Sequence, residues 1–459
     1  MSAVLAPMPA VASPWADLTA TLDPAHLRAM LQRGLPGFQS GTLLIEAVRV
    51  SKVHRSSSVR RNPHPVTMGL ELDVRHGATG DVSTQRLYAK AFRDGASAAA
   101  FAAADRTALV QPAFGSALSH LGELDMLVWA WPNDPSMPQL AALLNPAQQI
   151  AYGPEALRSS AGTTISVEVL RYEPERRATL RCTQSAPGRD AAARVVYGKT
   201  FSDATTAQAL QQRFEYFWQR AQSDRTAAWV AQPLGWDRST RTFWQAAAPG
   251  EPLMALASRS DAQTELARIA TSLAKLHLAA LPAEANRSTV HWLAELRRRV
   301  QKISRAIPGL AARAQALADT LEALTLRLAR ARQTLIHGDF HPEQVWLDGE
   351  RVVFFDFDEF ALGNPMEDLA EFIVKLEQRS GPTERCTRQI EAFTAAYRSA
   401  APHSFNDLWL LWHRALQTLL QASRAFIFQE LGWRARVESH LAASESLANG
   451  LRLQAAASS

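Results

Sequence analysis

The feature that most limits the possible folds of this chain is a change of hydrophobic period that occurs twice and then stops. Between residues 41 and 92 the runs LLIEAVRV, TMGLELDV and QRLYAKAF alternate apolar and polar side chains, the period of strands with one buried face. An Ala-rich stretch from Ser97 to Leu109 then takes helical spacing, and residues 145–163, with Asn, Pro, Gly and Ser, read as a linker. Beyond it the order returns: ISVEVLRYE, ATLRCTQ and ARVVYGKTF, a helical stretch from Ala204 to Ala221, then FWQAAAPGEPL. Overlaid, LYAKAFRDGASAAA (87–100) and VYGKTFSDATTAQA (196–209) share Tyr, Lys, Phe, Asp and two Ala in register, so the first block reads as a duplicate of the second. From Ser258 onward apolar residues recur at spacings of three and four, interrupted by one compact run, TLIHGDFHPEQVWLDGERVVFFDFDEF, which reads as two short strand pairs rich in charge. Small β-rich lobes followed by a mostly helical lobe make an α+β protein.

Composition narrows the partners. Lys and Arg number 49 against 44 Asp and Glu, a surplus of only +5 spread over a long chain, which gives no concentrated footprint for nucleic acid or an anionic membrane. Two cysteines, Cys182 and Cys386, exclude a disulfide framework and a thiolate zinc site, and fit a reducing cytoplasm. No stretch approaches ~18 uncharged apolar residues. The start, MSAVLAPMPAVASPWADL, has no Lys or Arg before Arg28 and no sustained apolar core, and reads as a disordered tail over residues 1–25. The expectation is a cytoplasmic protein with neither nucleic acid nor membrane as partner.

Chemistry concentrates at 334–368. The apolar strand Thr334-Leu335-Ile336 runs into His337, Gly338, Asp339, Phe340, His341 and Pro342, where the proline stops it. Twelve residues after Gln344, a second apolar run, Val352 to Phe355, ends in Asp356-Phe357-Asp358. Carboxylates and a carboxamide at neighbouring strand ends suit a hard divalent cation and the phosphates it carries.

HGDFHPEQ followed by VVFFDFDEFALGNPMEDLAEF resembles the catalytic segment of the aminoglycoside phosphotransferase and choline kinase-like family, relatives of protein kinases. The resemblance implies a protein kinase-like bilobal fold in which Asp339 is the catalytic aspartate, Gln344 and Asp356 are the metal ligands, and Asp368 braces the catalytic loop. It implies ATP and Mg²⁺ as cofactors and a small-molecule hydroxyl acceptor as partner. Lys199, on the third strand of the second block, takes the place of the phosphate-positioning lysine. Strand alternation puts it on a face with Val195, Tyr197 and Phe201, and Glu215, sixteen residues on, is its expected helix partner. FWQAAAPGEPL resembles the family's hinge, which would bring backbone groups around Gln245 and Ala247 to the adenine edge. The implied organisation is a tail (1–25), a cap that is a degenerate copy of the nucleotide lobe (26–150), the nucleotide lobe itself (160–250) and a helical lobe (251–459). In the cap, Lys90 matches Lys199, but Arg106 stands where the second copy has Glu215, so Lys90 is expected to lack a carboxylate and to be dispensable.

Three positions depart from the family's pattern. The phosphate-covering loop, YEPERRA (172–178), has no glycine, so Arg176 or Arg177 would have to supply positive charge to the phosphates; Gln344 replaces Asn, and Asn364 replaces Asp. The leading expectation is an ATP-dependent kinase for a hydroxyl of an amino alcohol, aminoglycoside or sugar. Its alternatives are a maltokinase-like sugar kinase, a pseudokinase or nucleotide-binding regulatory module, and a transition-metal hydrolase using His337, Asp339 and His341.

Overall fold

The computed structural model describes residues 21–55, 66–145, 163–185, 193–224, 229–259 and 261–457 except 282, 284, 429 and 430, with a few single positions between 153 and 157. The chain divides into two compact units, one running to Leu144 and taking in Tyr172–Arg177, the other holding nearly all the rest.

The first unit starts earlier than the sequence suggests. Helix α1 (Pro24–Gly34) is capped by Asp23, whose carboxylate accepts from the Ala25 and His26 amides at 3.1 and 2.9 Å, and it buries Leu27 and Leu31. An Asp-Pro start is a helix N-terminus signal, and it ends the expected tail before residue 25; residues 1–20 lie outside the described residues. Strands β1 (Leu43–Arg55), β2 (Val66–His76) and β3 (Val82–Ala91) form an antiparallel meander. Helix α2 (Ala96–Ala103) follows, then β4 (Leu118–Leu121), β5 (Met126–Ala130) and the short helix α3 (Leu140–Leu144). Helix α2 stops six residues short of Leu109, because Asp105 accepts from the Thr107 amide and hydroxyl at 2.9 and 2.8 Å and so turns the chain. The sheet order is β1-β2-β3-β5-β4.

Strands β6 (Thr164–Glu173), β7 (Arg177–Ser185), β8 (Arg194–Phe201), β9 (Pro233–Asp237) and β10 (Thr242–Ala246) make a second antiparallel sheet in the order β6-β7-β8-β10-β9, the same order again. Between β8 and β9 runs α4 (Ala204–Ser223). Asp203 caps it through the Thr206 amide at 2.8 Å, and Ala207, Leu210, Phe214, Phe217 and Ala221 bury one stripe, each large apolar side chain contributing about 1.5–3 kcal/mol.

The remainder of the second unit is mostly helical: α5 (Leu253–Arg259), α6 (Gln263–His277), α7 (Thr289–Ala306), α8 (Ala311–Thr325), α9 (Met366–Ser380), α10 (Glu384–Ala400), α11 (Asp407–Ile427) and α12 (Trp433–Ala457). Two three-stranded sheets are set among them. One has the order β11 (Glu251–Pro252), β14 (Val345–Asp348), β15 (Arg351–Phe354); the other has β12 (Asn286–Arg287), β16 (Ala361–Gly363), β13 (Thr334–Ile336). Trp409 and Trp412 are buried in this core, their indole N–H groups donating to Ala329 and Leu321 carbonyls at 2.8 and 2.9 Å. Among the described residues no helix is long and apolar enough to cross a membrane.

Candidate active site

The charged run 334–360 folds as two loops that leave two different sheets. The expectation of adjacent strands is corrected here: β13, which leads to Asp339, and β15, which leads to Asp356, do not pair. What joins the loops is His337. Fully buried, it donates from Nε2 to the Phe355 carbonyl at 2.6 Å, so it is not paired with Asp339 and His341 as a transition-metal site would need. Among the described residues no three His, Cys, Asp or Glu side chains converge as such a site.

The loop carrying Asp339 is fixed from below. Asp368, in the first turn of α9, is fully buried and accepts from the His337 amide at 2.6 Å, the Gly338 amide at 2.8 Å and His277 Nε2 at 3.0 Å. Burial works against its charge, but the hydrogen bond and charge of His277 and the backbone donors outweigh it and hold the carboxyl below its ordinary value. His277 is in turn oriented by Tyr397 Oη at 2.6 Å. Gly338 adopts φ +85°, and a Cβ there would lie 2.2 Å from the Glu359 carbonyl oxygen, so only glycine passes this point. Arg287 donates to the Gly338 carbonyl at 2.6 Å and to buried Glu367 at 2.7 Å, and Trp292 Nε1 donates to the same Glu367 at 2.7 Å. Phe340 stacks on Phe372, and Phe372 on Phe393, which seats the loop on α9 and α10.

The second loop turns at Asp356, which sits at φ +59°, a left-handed conformation that costs a non-glycine residue about 1–2 kcal/mol. Its carboxylate meets Lys199: Nζ lies 2.6 Å from Asp356 Oδ1 and 2.7 Å from Asp358 Oδ1, with the lysine side chain 16% exposed. Gln344 Nε2 is 3.5 Å from the other Asp356 oxygen. Turning the Gln344 amide over would present its oxygen instead, giving two carboxylates and a carbonyl, an all-oxygen set that fits a hard divalent cation.

Two expectations about Lys199 are corrected. Its face of β8 is the more open one, since Val196, Gly198 and Thr200 are buried while Val195 and Tyr197 are half-buried. Its partner is not Glu215, which accepts from Gln211 Nε2, one turn back on α4, at 2.7 Å. Helix spacing puts Glu215 at the edge of the buried stripe, but the residue is exposed and is held by a neighbour four residues away.

Gln245 lies in β10 in register with Tyr197 of β8, and Ala247 follows, exposed, just past the strand end. Arg176 and Arg177 belong to the first unit, where both guanidiniums lie against buried Glu173, at 3.4 and 3.3 Å. That unit also corrects the expectation for Lys90: its ammonium donates to Glu175 at 2.6 Å, and Arg106 lies over the Phe101 ring instead. Glu175 is positioned through its amide, which donates to buried Asp134 at 2.8 Å, as does the Tyr172 hydroxyl.

The geometry thus separates an aspartate held on a braced loop from a lysine and a set of oxygen ligands. Residues 203–408, which carry Asp339, Gln344, Asp356 and Asp368, match the phosphotransferase enzyme family. The chain is also similar to solved structures. A choline/ethanolamine kinase family protein from Mesorhizobium loti is 14% identical with a TM-score of 0.43, over 68% of this chain and 94% of that one. A choline kinase from Cryptosporidium parvum is 10% identical with a TM-score of 0.45, over 63% and 90%. An aminoglycoside-3'-phosphotransferase of type VIII is 22% identical with a TM-score of 0.38, over 55% and 92%. No curated protein sequence matches the chain.

Sequence reasoning missed the residues that come from far along the chain. Arg287, on two-residue β12, has no periodic context, and Arg424 of α11, 3.7 Å from Asp339, follows it by 85 positions. Glu367 was findable, since it precedes Asp368 in the same motif.

Proposed function

We propose that the protein transfers the terminal phosphoryl group of ATP to a hydroxyl of a small molecule. The observation that carries this reading is the junction of Lys199 with Asp356 and Asp358, beside Gln344, together with an Asp339 held apart on the Asp368-braced loop. Bound Mg²⁺ would offset the charge that develops on the phosphates during transfer. Asp356 and Gln344 would hold that ion through their oxygens. Lys199 exchanges one of its carboxylate partners for phosphate oxygens, and Asp358 keeps its ammonium in place. Asp339 accepts the proton of the acceptor hydroxyl and aligns its oxygen. The exposed backbone beyond Gln245, at Ala247, offers the adenine edge an acceptor and a donor. Arg176 and Arg177, spent on Glu173, are not assigned to the phosphates.

Calorimetry tests the arrangement. Asp356→Asn loses the charge that anchors the cation and should weaken Mg-ATP binding at least ~10-fold, a charge-assisted contact being worth about 1.5–3 kcal/mol. Unaltered Mg-ATP affinity in that variant would sink the assignment.

A further inference from the structure

Two helices supply charged and polar groups in the surroundings of Asp339. Glu371 and Lys375 stand one turn apart on α9; Gln421 and Arg424 stand one turn apart on α11. Arg424 lies 3.7 Å from Asp339 and 3.5 Å from buried Glu371, close enough for attraction to both. Lys375 is half-buried, and its ammonium has a single hydrogen bond, to Gln421 Oε1 at 3.0 Å, with no carboxylate within 4 Å among the described residues. Because an ammonium only donates, that bond fixes the orientation of the Gln421 amide. Its Nε2 is therefore a donor, and it is buried without an acceptor. An orphaned buried amide donor is costly for a protein to keep unless an acceptor arrives, and the half-buried ammonium beside it has further N–H groups to offer the same acceptor. Burial and the neighbouring Asp339 charge push the Glu371 carboxyl well above its ordinary value, which leaves donors in excess in this cluster.

From this we infer that Lys375, Gln421 and Arg424 form an oxyanion seat beside Asp339 that binds an acidic group on the acceptor. The inference rests on the phosphoryl-transfer reading for its acceptor, and it narrows the substrate class to hydroxy acids, whether carboxylates, phosphate esters or sulfate esters. Amino alcohols and aminoglycosides would bring like charge to Lys375 and Arg424.

Two arms test it. In the first, sulfate binding is measured by calorimetry on protein saturated with Mg²⁺ and a non-hydrolysable ATP analogue, so that the nucleotide's own phosphates are in place. The parent should bind sulfate, Lys375→Gln should bind it about 10- to 100-fold more weakly, and Lys375→Arg should recover binding to within a few-fold, with analogue affinity the same in all three. Sulfate binding that Lys375→Gln leaves unchanged, or that vanishes once the analogue is bound, overturns the seat; the latter result would give Lys375 to the nucleotide. In the second arm, ADP release is followed with matched pairs, glycerate against glycerol and gluconate against glucose. Preference for the acid, lost in Lys375→Gln with KM for ATP unchanged, supports the seat, and preference for the neutral member contradicts it. Lys375-dependent sulfate binding with no ADP release from any hydroxyl compound would instead uphold the seat and count against phosphoryl transfer.

Discussion

Replacing Asp368 with Asn removes the support of the loop that carries Asp339 while changing almost no volume. The carboxylate accepts from the amides of His337 and Gly338 and from His277, all at a site without solvent. An amide has one acceptor oxygen where the carboxylate has two, and its NH₂ must face a donor. The variant therefore loses at least one charge-assisted bond, about 1.5–3 kcal/mol, and strands a buried N–H, about 1–3 kcal/mol. The sum, about 2.5–6 kcal/mol, brackets the roughly 3–5 kcal/mol expected for breaking a buried charged contact. Urea unfolding followed by tryptophan fluorescence should show the transition of the second unit, whose core holds Trp409 and Trp412, moved down by about 1 M or more. Hydrogen exchange at His337 and Gly338 should accelerate in step. Turnover should fall more than nucleotide affinity, since Asp339 sits on the loosened loop while Lys199 and Asp356 do not. A cost below about 1 kcal/mol with both amides still protected would refute the bracing role.

Three further outcomes follow. Burial among Trp292, Trp409 and Trp412 pushes the His413 imidazole down to about 3, so it stays neutral in the fold while the unfolded chain protonates near pH 6.5. Its stabilisation is complete above that pH and is lost as pH falls toward 3, by up to about 1.4 kcal/mol per unit; His413→Leu should flatten that part of the stability curve between pH 6.5 and 5, and parallel curves would disprove it. Lys90→Met should cost the first unit about 1 kcal/mol by freeing Glu175 while turnover stays within a few-fold, and a large loss of turnover would show that the nucleotide lysine had been misassigned. Lys199→Met should lower turnover at least ~100-fold, because two carboxylates are left without the cation between them; activity near the parent's would remove Lys199 from the site.

What could be read from the sequence follows the range of the interactions. The two β blocks were legible because a strand's period is local, and the same strand order recurs in both sheets. Asp339, Gln344, Asp356 and Asp368 were legible because one contiguous motif carries them. The partner of Lys199 was not: spacing along α4 names a face, and Asp356 and Asp358 arrive from more than 150 positions away. The same reason hid Glu175 from Lys90, since nothing in YEPERRA says which unit its turn joins. Helix α1 is announced by Asp23-Pro24, a cap of two residues in a stretch whose composition otherwise reads as a tail.

The account depends most on Asp339 as the group that receives the acceptor's proton. Phosphorus NMR of parent and Asp339→Asn, each supplied with Mg-ATP and an accepted hydroxyl compound, measures this directly. The parent should form ADP and a new phosphate ester in equal amounts, while the variant, binding Mg-ATP as tightly, should form the ester at least ~10²-fold more slowly. Ester formation at the parent's rate in Asp339→Asn would contradict the account.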